Sequence, residues 1–104
     1  MKIIWSDFAK TMLKEIFLFH KQAANISVAR KIKNNIFSTV KLLAKHPNMG
    51  QMEETLLKYG EQHRYLVSGN YKIIYKQVDE KILITDVFDT RMNPTKMNNP
   101  NIKR

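Results

Sequence analysis

The sequence predicts an α+β domain in which an antiparallel helical hairpin packs on one face of an antiparallel sheet of three to four strands. One observation behind this prediction is that apolar residues recur every three or four positions up to about residue 45, as along one face of a helix. Another is that they alternate with polar residues after about residue 62, as in strands. A chain of 104 residues, 43% of them hydrophobic, suits one packed core, so residues 1–104 are expected to form a single domain.

A short strand and a first helix are predicted at the start of the chain. Residues 2–5 form a short apolar run that suits a terminal or edge strand. Ser6 followed by Asp7 is typical of a helix N-cap with an acid in the first turn. The helix is expected to carry one apolar stripe, formed by Phe8, Met12, Ile16, Phe19 and Ala23.

A second amphipathic helix follows after almost no loop. Ser27 is its candidate N-cap. Such a short link predicts an antiparallel hairpin, and Pro47 ends it because proline disfavours the helical conformation of the preceding residue. Residues 51–62 are interpreted as a short helical turn and a loop. The apolar stripe of this second helix is formed by Ala29, Ile32, Ile36, Val40 and Leu43.

Three strands are predicted in the last third of the chain. Alternation over residues 64–68 and 70–78, with a turn signal at 68–70, indicates a hairpin. Residues 81–89 form a third strand that is apolar on both faces, which favours a central place in the sheet. Residues 92–104 contain prolines and asparagines with little to bury, so a flexible tail is expected there.

The charge of the chain is strongly basic and unevenly distributed. The formal net charge is +9. Residues 1–46 contain nine basic and two acidic residues, a net charge of +7, so the first half is expected to attract an acidic or polyanionic partner. The alternative is that these lysines form an ordinary solvated helix face.

Several classes of protein are disfavoured by the composition. The chain has no cysteine, which excludes disulfides and thiolate metal sites and favours a reducing, cytoplasmic location. His20, His46 and His63 show no metal-ligand spacing, so no metal or other cofactor is predicted. No apolar run reaches the roughly 18 residues that span a bilayer, so no membrane partner is predicted.

Four local strings then invite comparison with a known family. They are HPNMG at 46–50, HRYLV at 63–67, NYKIIY at 70–75 and DTRMNP at 89–94. Their order and spacing, on a strand, a helical hairpin and a three-stranded meander, resemble the RelE/ParE superfamily of toxins from bacterial type II toxin-antitoxin modules. The resemblance covers roughly residues 1–96. It implies a cognate acidic antitoxin as partner.

The resemblance to RelE-like members implies metal-independent cleavage of messenger RNA at the ribosome. In that reaction the 2′-hydroxyl attacks the adjacent phosphate, which requires a base, cations for the phosphorane and an acid for the leaving oxygen. The positions that match the family's basic residues, and so are the predicted catalytic residues, are Arg64, Lys72 and Arg91. The predicted substrate-binding residues are Lys58, Lys76 and Tyr75.

Some of these residues have a simpler interpretation. Arg64 and Lys72 are also what an exposed strand face carries, and Tyr75 suits a core position under the helices. Glu53 and Glu54 follow the glycine at a point where some relatives place a base, and a solvated loop acid is the simpler interpretation. His63 could act as an acid or base at neutral pH, and a structural role is the simpler one.

Two other functions compete with RNA cleavage. The resemblance to ParE-like members of the superfamily implies a toxin that poisons DNA gyrase by binding it. Such members do not need the tyrosine or histidine after the last strand that several RelE-like enzymes carry and that this chain lacks. The third candidate is a basic nucleic-acid-binding domain. Geometry discriminates between the first two, since a nuclease requires Lys58, Arg64, Lys72 and Arg91 to converge in one concave site.

Overall fold

The computed structural model describes residues 1–99, and it contains five strands, two α-helices and two short 3-10 helices within that range. The α-helices are α1 (Asp7–Ala23) and α2 (Ile26–Leu42), and the 3-10 helices cover Glu54–Tyr59 and Pro94–Lys96. The strands are β1 (Lys2–Trp5), β2 (Gln51–Met52), β3 (Arg64–Ser68), β4 (Tyr71–Val78) and β5 (Lys81–Asp89). The predicted α+β class is therefore confirmed, with the last three strands close to their predicted bounds.

The sheet has the strand order β1-β5-β4-β3-β2. Three neighbouring pairs of strands are antiparallel, whereas β1 runs parallel to β5. Parallel strands require a long crossover connection, and here the helical hairpin and the strands β2 to β4 lie between β1 and β5 in the chain. The fifth strand, β2, was not predicted. It is two residues long, which is too short to show a periodic pattern.

The N-cap predicted for α1 is confirmed, whereas the N-cap predicted for α2 is wrong. Ser6 caps α1, where its Oγ accepts a hydrogen bond from the Ala9 amide at 3.0 Å. The cap of α2 is Asn25 and not Ser27. Asn25 has extended backbone, and its Oδ1 accepts from the Val28 amide at 2.9 Å, which leaves Ser27 inside the first turn.

The apolar stripe predicted for α2 is confirmed, and that predicted for α1 is rotated. Ala29, Ile36, Val40 and Leu43 are buried. In α1 the buried residues are Ala9 and Leu13, while Phe19 is exposed. Met12 and Ile16 of the predicted stripe are half-buried and still pack against the core.

Apolar side chains are buried on both faces of the sheet. The larger cluster lies between the helices and the sheet and includes Tyr71, Ile73 and Tyr75 of β4. A smaller cluster on the other face comprises Leu56, Ile74, Phe88 and Met97. Among residues 1–99, no helix is long and apolar enough to cross a membrane.

The segment after β5, where a flexible tail is expected from residue 92, makes specific contacts with the sheet. Met97 is buried in the smaller cluster, the Asn98 amide donates to Asp86 Oδ2 at 2.7 Å, and Thr85 Oγ1 donates to Asn98 Oδ1 at 3.1 Å. Residues 92–99 are thus anchored on the sheet, because β5 offers them a buried carboxylate and an apolar surface. The rest of the predicted tail, 100–104, lies outside the described residues.

Candidate functional site

Three strings of the family resemblance meet in one hydrogen-bonded cluster. The Tyr75 hydroxyl donates to the Pro47 carbonyl at 2.9 Å and accepts from the Gly50 amide at 3.0 Å. Arg64 Nη1 donates to the Gly50 carbonyl at 2.8 Å. The loop that follows the hairpin is therefore tied to both β3 and β4 by side chains that the sequence suggested for RNA binding and catalysis.

Gly50 is required in this cluster by close approach and not by backbone strain. A Cβ atom at this position would lie 2.5 Å from the Tyr75 hydroxyl and 2.8 Å from the Tyr65 carbonyl oxygen. Tyr75 itself is fully buried, and this burial raises the pKa of its hydroxyl. The core interpretation of Tyr75 therefore agrees with its burial, and its hydroxyl is engaged by the backbone on two sides.

Lys72 lies on the opposite face of the sheet from Arg64. Arg64 pairs with Tyr75 and Lys72 pairs with Val67 in the ladder of β3 and β4, so side-chain alternation separates the two cations. Lys72 Nζ lies 2.7 Å from Glu53 Oε1 and 4.2 Å from the centre of the Tyr65 ring. Glu53 is only 3% exposed, so the expectation of a solvated loop acid was wrong. Lys72 forms an ion pair with this buried carboxylate.

Arg91 forms a third, separate ion pair just after β5. Its Nε and Nη2 donate to the two carboxylate oxygens of Asp89 at 3.0 and 2.8 Å. This contact lowers the pKa of Asp89, first through the hydrogen bonds from the Arg91 side chain. Arg91 is 62% exposed, so this pair remains accessible to solvent on one side.

An open cleft of about 400 Å³ brings together three of the predicted residues, Arg64, Tyr75 and Lys76. Lys76 Nζ lies 2.9 Å from Glu61 Oε1, and the hydrogen bond between them lowers the pKa of Glu61. Lys58 does not line this cleft; its Nζ lies 5.3 Å from the centre of the exposed Tyr59 ring. Arg64 and Lys76 thus share this cleft, whereas Lys58, Lys72 and Arg91 do not line it. The four cations that a nuclease requires therefore do not converge in one concave site.

His63 lies at the start of β3 and is a buried residue whose role the sequence left open. Its Nε2 lies 3.7 Å from Glu61 Oε2, and its Nδ1 has no hydrogen-bond partner within the described part of the chain. Burial lowers the pKa of His63. Within residues 1–99, no three His, Asp or Glu side chains lie close enough together to hold a metal ion.

The hairpin presents apolar surface that the periodic pattern did not predict. Near the turn between α1 and α2, four large apolar side chains are exposed, namely Leu18, Phe19, Ile26 and Val28. We call these residues the hairpin tip. The periodic pattern assigned Phe19 to the buried stripe because Phe19 fits the step of three or four residues. Only the packing of α1 shows that Phe19 is exposed.

Comparison with known proteins supplies the family. The family described as the ParE toxin of the type II toxin-antitoxin system parDE matches residues 3–94. The chain belongs to this ParE toxin family. It is a ParE-type toxin of a type II toxin-antitoxin system, and its partner within that system is a cognate antitoxin.

Two individual proteins are similar to this ParE-type toxin. Toxin ParE1 of Caulobacter vibrioides is 29% identical over 85 residues, which is 82% of this chain and 84% of that protein. A solved structure of the chromosomal ParDE toxin-antitoxin system from P. aeruginosa superposes with a TM-score of 0.70 at 18% identity. It covers 86% of this chain and 95% of the solved chain, which supports the same fold.

Proposed function

We propose that this ParE-type toxin arrests growth by binding and inhibiting DNA gyrase, and not by cutting messenger RNA. The observation that carries the proposal is the separation of the cations. Arg64 holds the Gly50 carbonyl, Lys72 neutralises Glu53 on the other face of the sheet, and Arg91 is paired with Asp89. Phosphorane stabilisation requires several donors aimed at one point, and these three are aimed at different points.

The surface of the hairpin supports a protein target. Phe19 and Leu18 are exposed near the end of α1, and Ile26 and Val28 near the start of α2. Neighbouring exposed apolar side chains mark surfaces that bind other proteins. A gyrase subunit that covered the hairpin tip would remove this apolar area from water, which favours association.

Messenger RNA cleavage remains the competing function because Arg64 and Lys76 line one cleft. Tyr75 also lines it but is buried, so its ring cannot stack on a base without opening the loop that it holds. Glu61 partly neutralises Lys76 at the same place. These contacts reduce the positive charge and the aromatic surface that the cleft offers to RNA, which favours the gyrase proposal.

The test compares both targets with the same purified toxin. Gyrase holoenzyme with relaxed plasmid reports supercoiling, and translating ribosomes with a defined messenger report cut ends by primer extension. We expect supercoiling to stop while the messenger stays intact. Cut messenger ends with unimpaired supercoiling would refute the proposal and establish the nuclease alternative.

A pair of variants tests whether the hairpin tip is the gyrase-binding surface. Phe19 and Val67 are each 57% exposed, so Phe19→Ser and Val67→Ser remove similar apolar surface in different places. We expect Phe19→Ser to raise the toxin concentration needed for half inhibition about tenfold or more, and Val67→Ser to leave it nearly unchanged. Equal effects would remove the hairpin tip from the proposal. Circular dichroism melts check that both variants are folded.

A further inference from the structure

A pocket of about 260 Å³ opens between α1, the start of β4 and the end of β5, and its volume suits one long side chain. Four of its lining side chains lie on one face of α1, because they are spaced by three or four residues along the helix. They are Met12, Glu15, Ile16 and Phe19. Tyr71 and Asp89, which are paired in the ladder of β4 and β5, line the opposite side. We call this cavity the α1–β5 pocket.

The aromatic residues of the pocket are held in place through His20. The Phe19 and His20 rings are packed edge to face with 5.1 Å between their centres. His20 Nε2 lies 2.8 Å from the hydroxyl oxygen of Tyr71, which is itself buried. The outward-facing Phe19 is thereby linked to the sheet. Aromatic rings of this kind bind apolar groups and also cations.

Glu15 is the uncompensated charge of the α1–β5 pocket. Asp89 accepts hydrogen bonds from Arg91 on both carboxylate oxygens, at 3.0 and 2.8 Å, so these two charges cancel. Glu15 is exposed and makes no hydrogen bond or ion pair with any residue in the range 1–99. The lining of the pocket is therefore net negative, although the whole chain carries +9.

We propose that the α1–β5 pocket receives one lysine or arginine side chain of gyrase when the toxin binds its target. The apolar stem of that side chain packs against Met12, Ile16 and Phe19, and its cationic end pairs with Glu15. Lysine and arginine suit such a pocket because they bury their methylene groups while the charged end stays close to water. Phe19 also belongs to the hairpin tip, so one partner covers both features. This inference rests on the proposed inhibition of gyrase.

Two other occupants fit the pocket less well. An acidic antitoxin segment would bring carboxylates against the unpaired Glu15, and juxtaposed like charges disfavour binding. A second copy of the toxin does carry lysines, but its docking would bring together two chains of net charge +9.

A matched pair of charge reversals tests the pocket in the supercoiling assay with gyrase holoenzyme. Glu15→Lys and Glu80→Lys each reverse one exposed acid and change the net charge equally. Glu80 precedes β5 and is thus at the opposite end of that strand from Asp89. We expect Glu15→Lys to raise the toxin concentration for half inhibition about tenfold or more, and Glu80→Lys to change it less than about twofold.

The unmodified toxin in the same assay separates two kinds of failure. A toxin without effect on supercoiling would refute the gyrase proposal, and this inference would fall with it. Inhibition by the unmodified toxin together with equal effects of the two reversals would overturn the pocket alone. Circular dichroism melts check folding. Should Glu15→Lys not fold, Glu15→Gln against Glu80→Gln gives the same comparison, with an expected difference of about threefold or more.

Antitoxin affinity and oligomeric state test the choice of occupant. We expect Glu15→Lys to bind the purified cognate antitoxin as tightly as Glu80→Lys does in isothermal titration calorimetry. Binding weakened about tenfold by Glu15→Lys alone would assign the pocket to the antitoxin and overturn the proposal. A dimer of the unmodified toxin in size-exclusion chromatography that Glu15→Lys dissociates would assign it to a second copy, with the same consequence.

Discussion

At the scale of single residues, several side chains that the sequence suggested for catalysis or RNA binding make contacts within the fold. Tyr75 is buried and joins Pro47 to Gly50, and Arg64 holds the Gly50 carbonyl. Lys72 neutralises a carboxylate that is almost completely enclosed. A match to a family motif therefore identifies positions that the fold needs as readily as positions that a reaction needs.

Replacing Tyr75 by phenylalanine tests the first of these contacts. Tyr75→Phe keeps the ring but leaves the buried Gly50 amide without its acceptor, so we expect the free energy of unfolding to fall by about 1–3 kcal/mol. Urea denaturation followed by Trp5 fluorescence measures the change. The control is Tyr59→Phe at an exposed position, with an expected change within about 0.5 kcal/mol. A neutral Tyr75→Phe variant would contradict the assigned role.

Lys72 and Glu53 form a pair that a double-mutant cycle can measure. On an exposed strand, loss of a lysine would cost about 0.5 kcal/mol or less. Lys72→Met instead leaves the buried Glu53 carboxylate unpaired, and we expect a loss of about 1–3 kcal/mol in the free energy of unfolding. Adding Glu53→Gln should restore most of it, which urea titrations of the three variants would show. Additive losses would mean that the two side chains do not interact.

At the scale of elements, the segment after β5 completes the second face of the sheet. Ile74 and Phe88 would be solvent-exposed on that face without the 3-10 helix of residues 54–59 and the segment 92–99. The antiparallel strands can then bury apolar side chains on both faces, in a domain of only 104 residues.

Met97 is the residue through which this segment stabilises the domain. Met97→Ala would leave a cavity against Leu56 and Phe88, and we expect it to lower the free energy of unfolding by about 2–4 kcal/mol. Met49→Ala, at an exposed position, is the matched control and should change stability by less than about 0.5 kcal/mol. Chemical denaturation of both variants gives the comparison. Equal, small effects would mean that the segment is not docked in solution.

At the scale of the whole molecule, the positive charge is concentrated in the first half of the chain. The net charge of +7 over residues 1–46 lies mostly on the helical hairpin, whereas residues 47–104 carry a net charge of +2. Long-range attraction of an acidic antitoxin therefore favours arrival at the hairpin side.

Salt should slow this association. Between about 50 and 500 mM salt the Debye length shortens several-fold, and we expect the rate of antitoxin binding in stopped-flow measurements to fall at least tenfold. The dissociation rate should change far less, because it depends on short-range contacts. A binding rate that is constant over this range of salt would show that the basic hairpin does not steer the antitoxin.

The sequence by itself determined the features that depend on neighbours a few residues apart. These are the Ser6 cap, the buried stripe of α2 and the bounds of β3, β4 and β5, since cap chemistry and apolar periodicity are local properties. The motif strings also pointed to the toxin superfamily that the family comparison confirmed.

Only the tertiary structure decided which distant residues meet. Glu53 and Lys72 are 19 residues apart, and Gly50 and Tyr75 are 25 apart, so no periodic pattern links them. The same holds for the parallel pairing of β1 with β5, the docking of residues 92–99 and the outward position of Phe19. Each depends on the packing of whole elements, and that packing gives Arg64, Lys72 and Arg91, which the sequence suggested as one catalytic set, three separate sets of contacts.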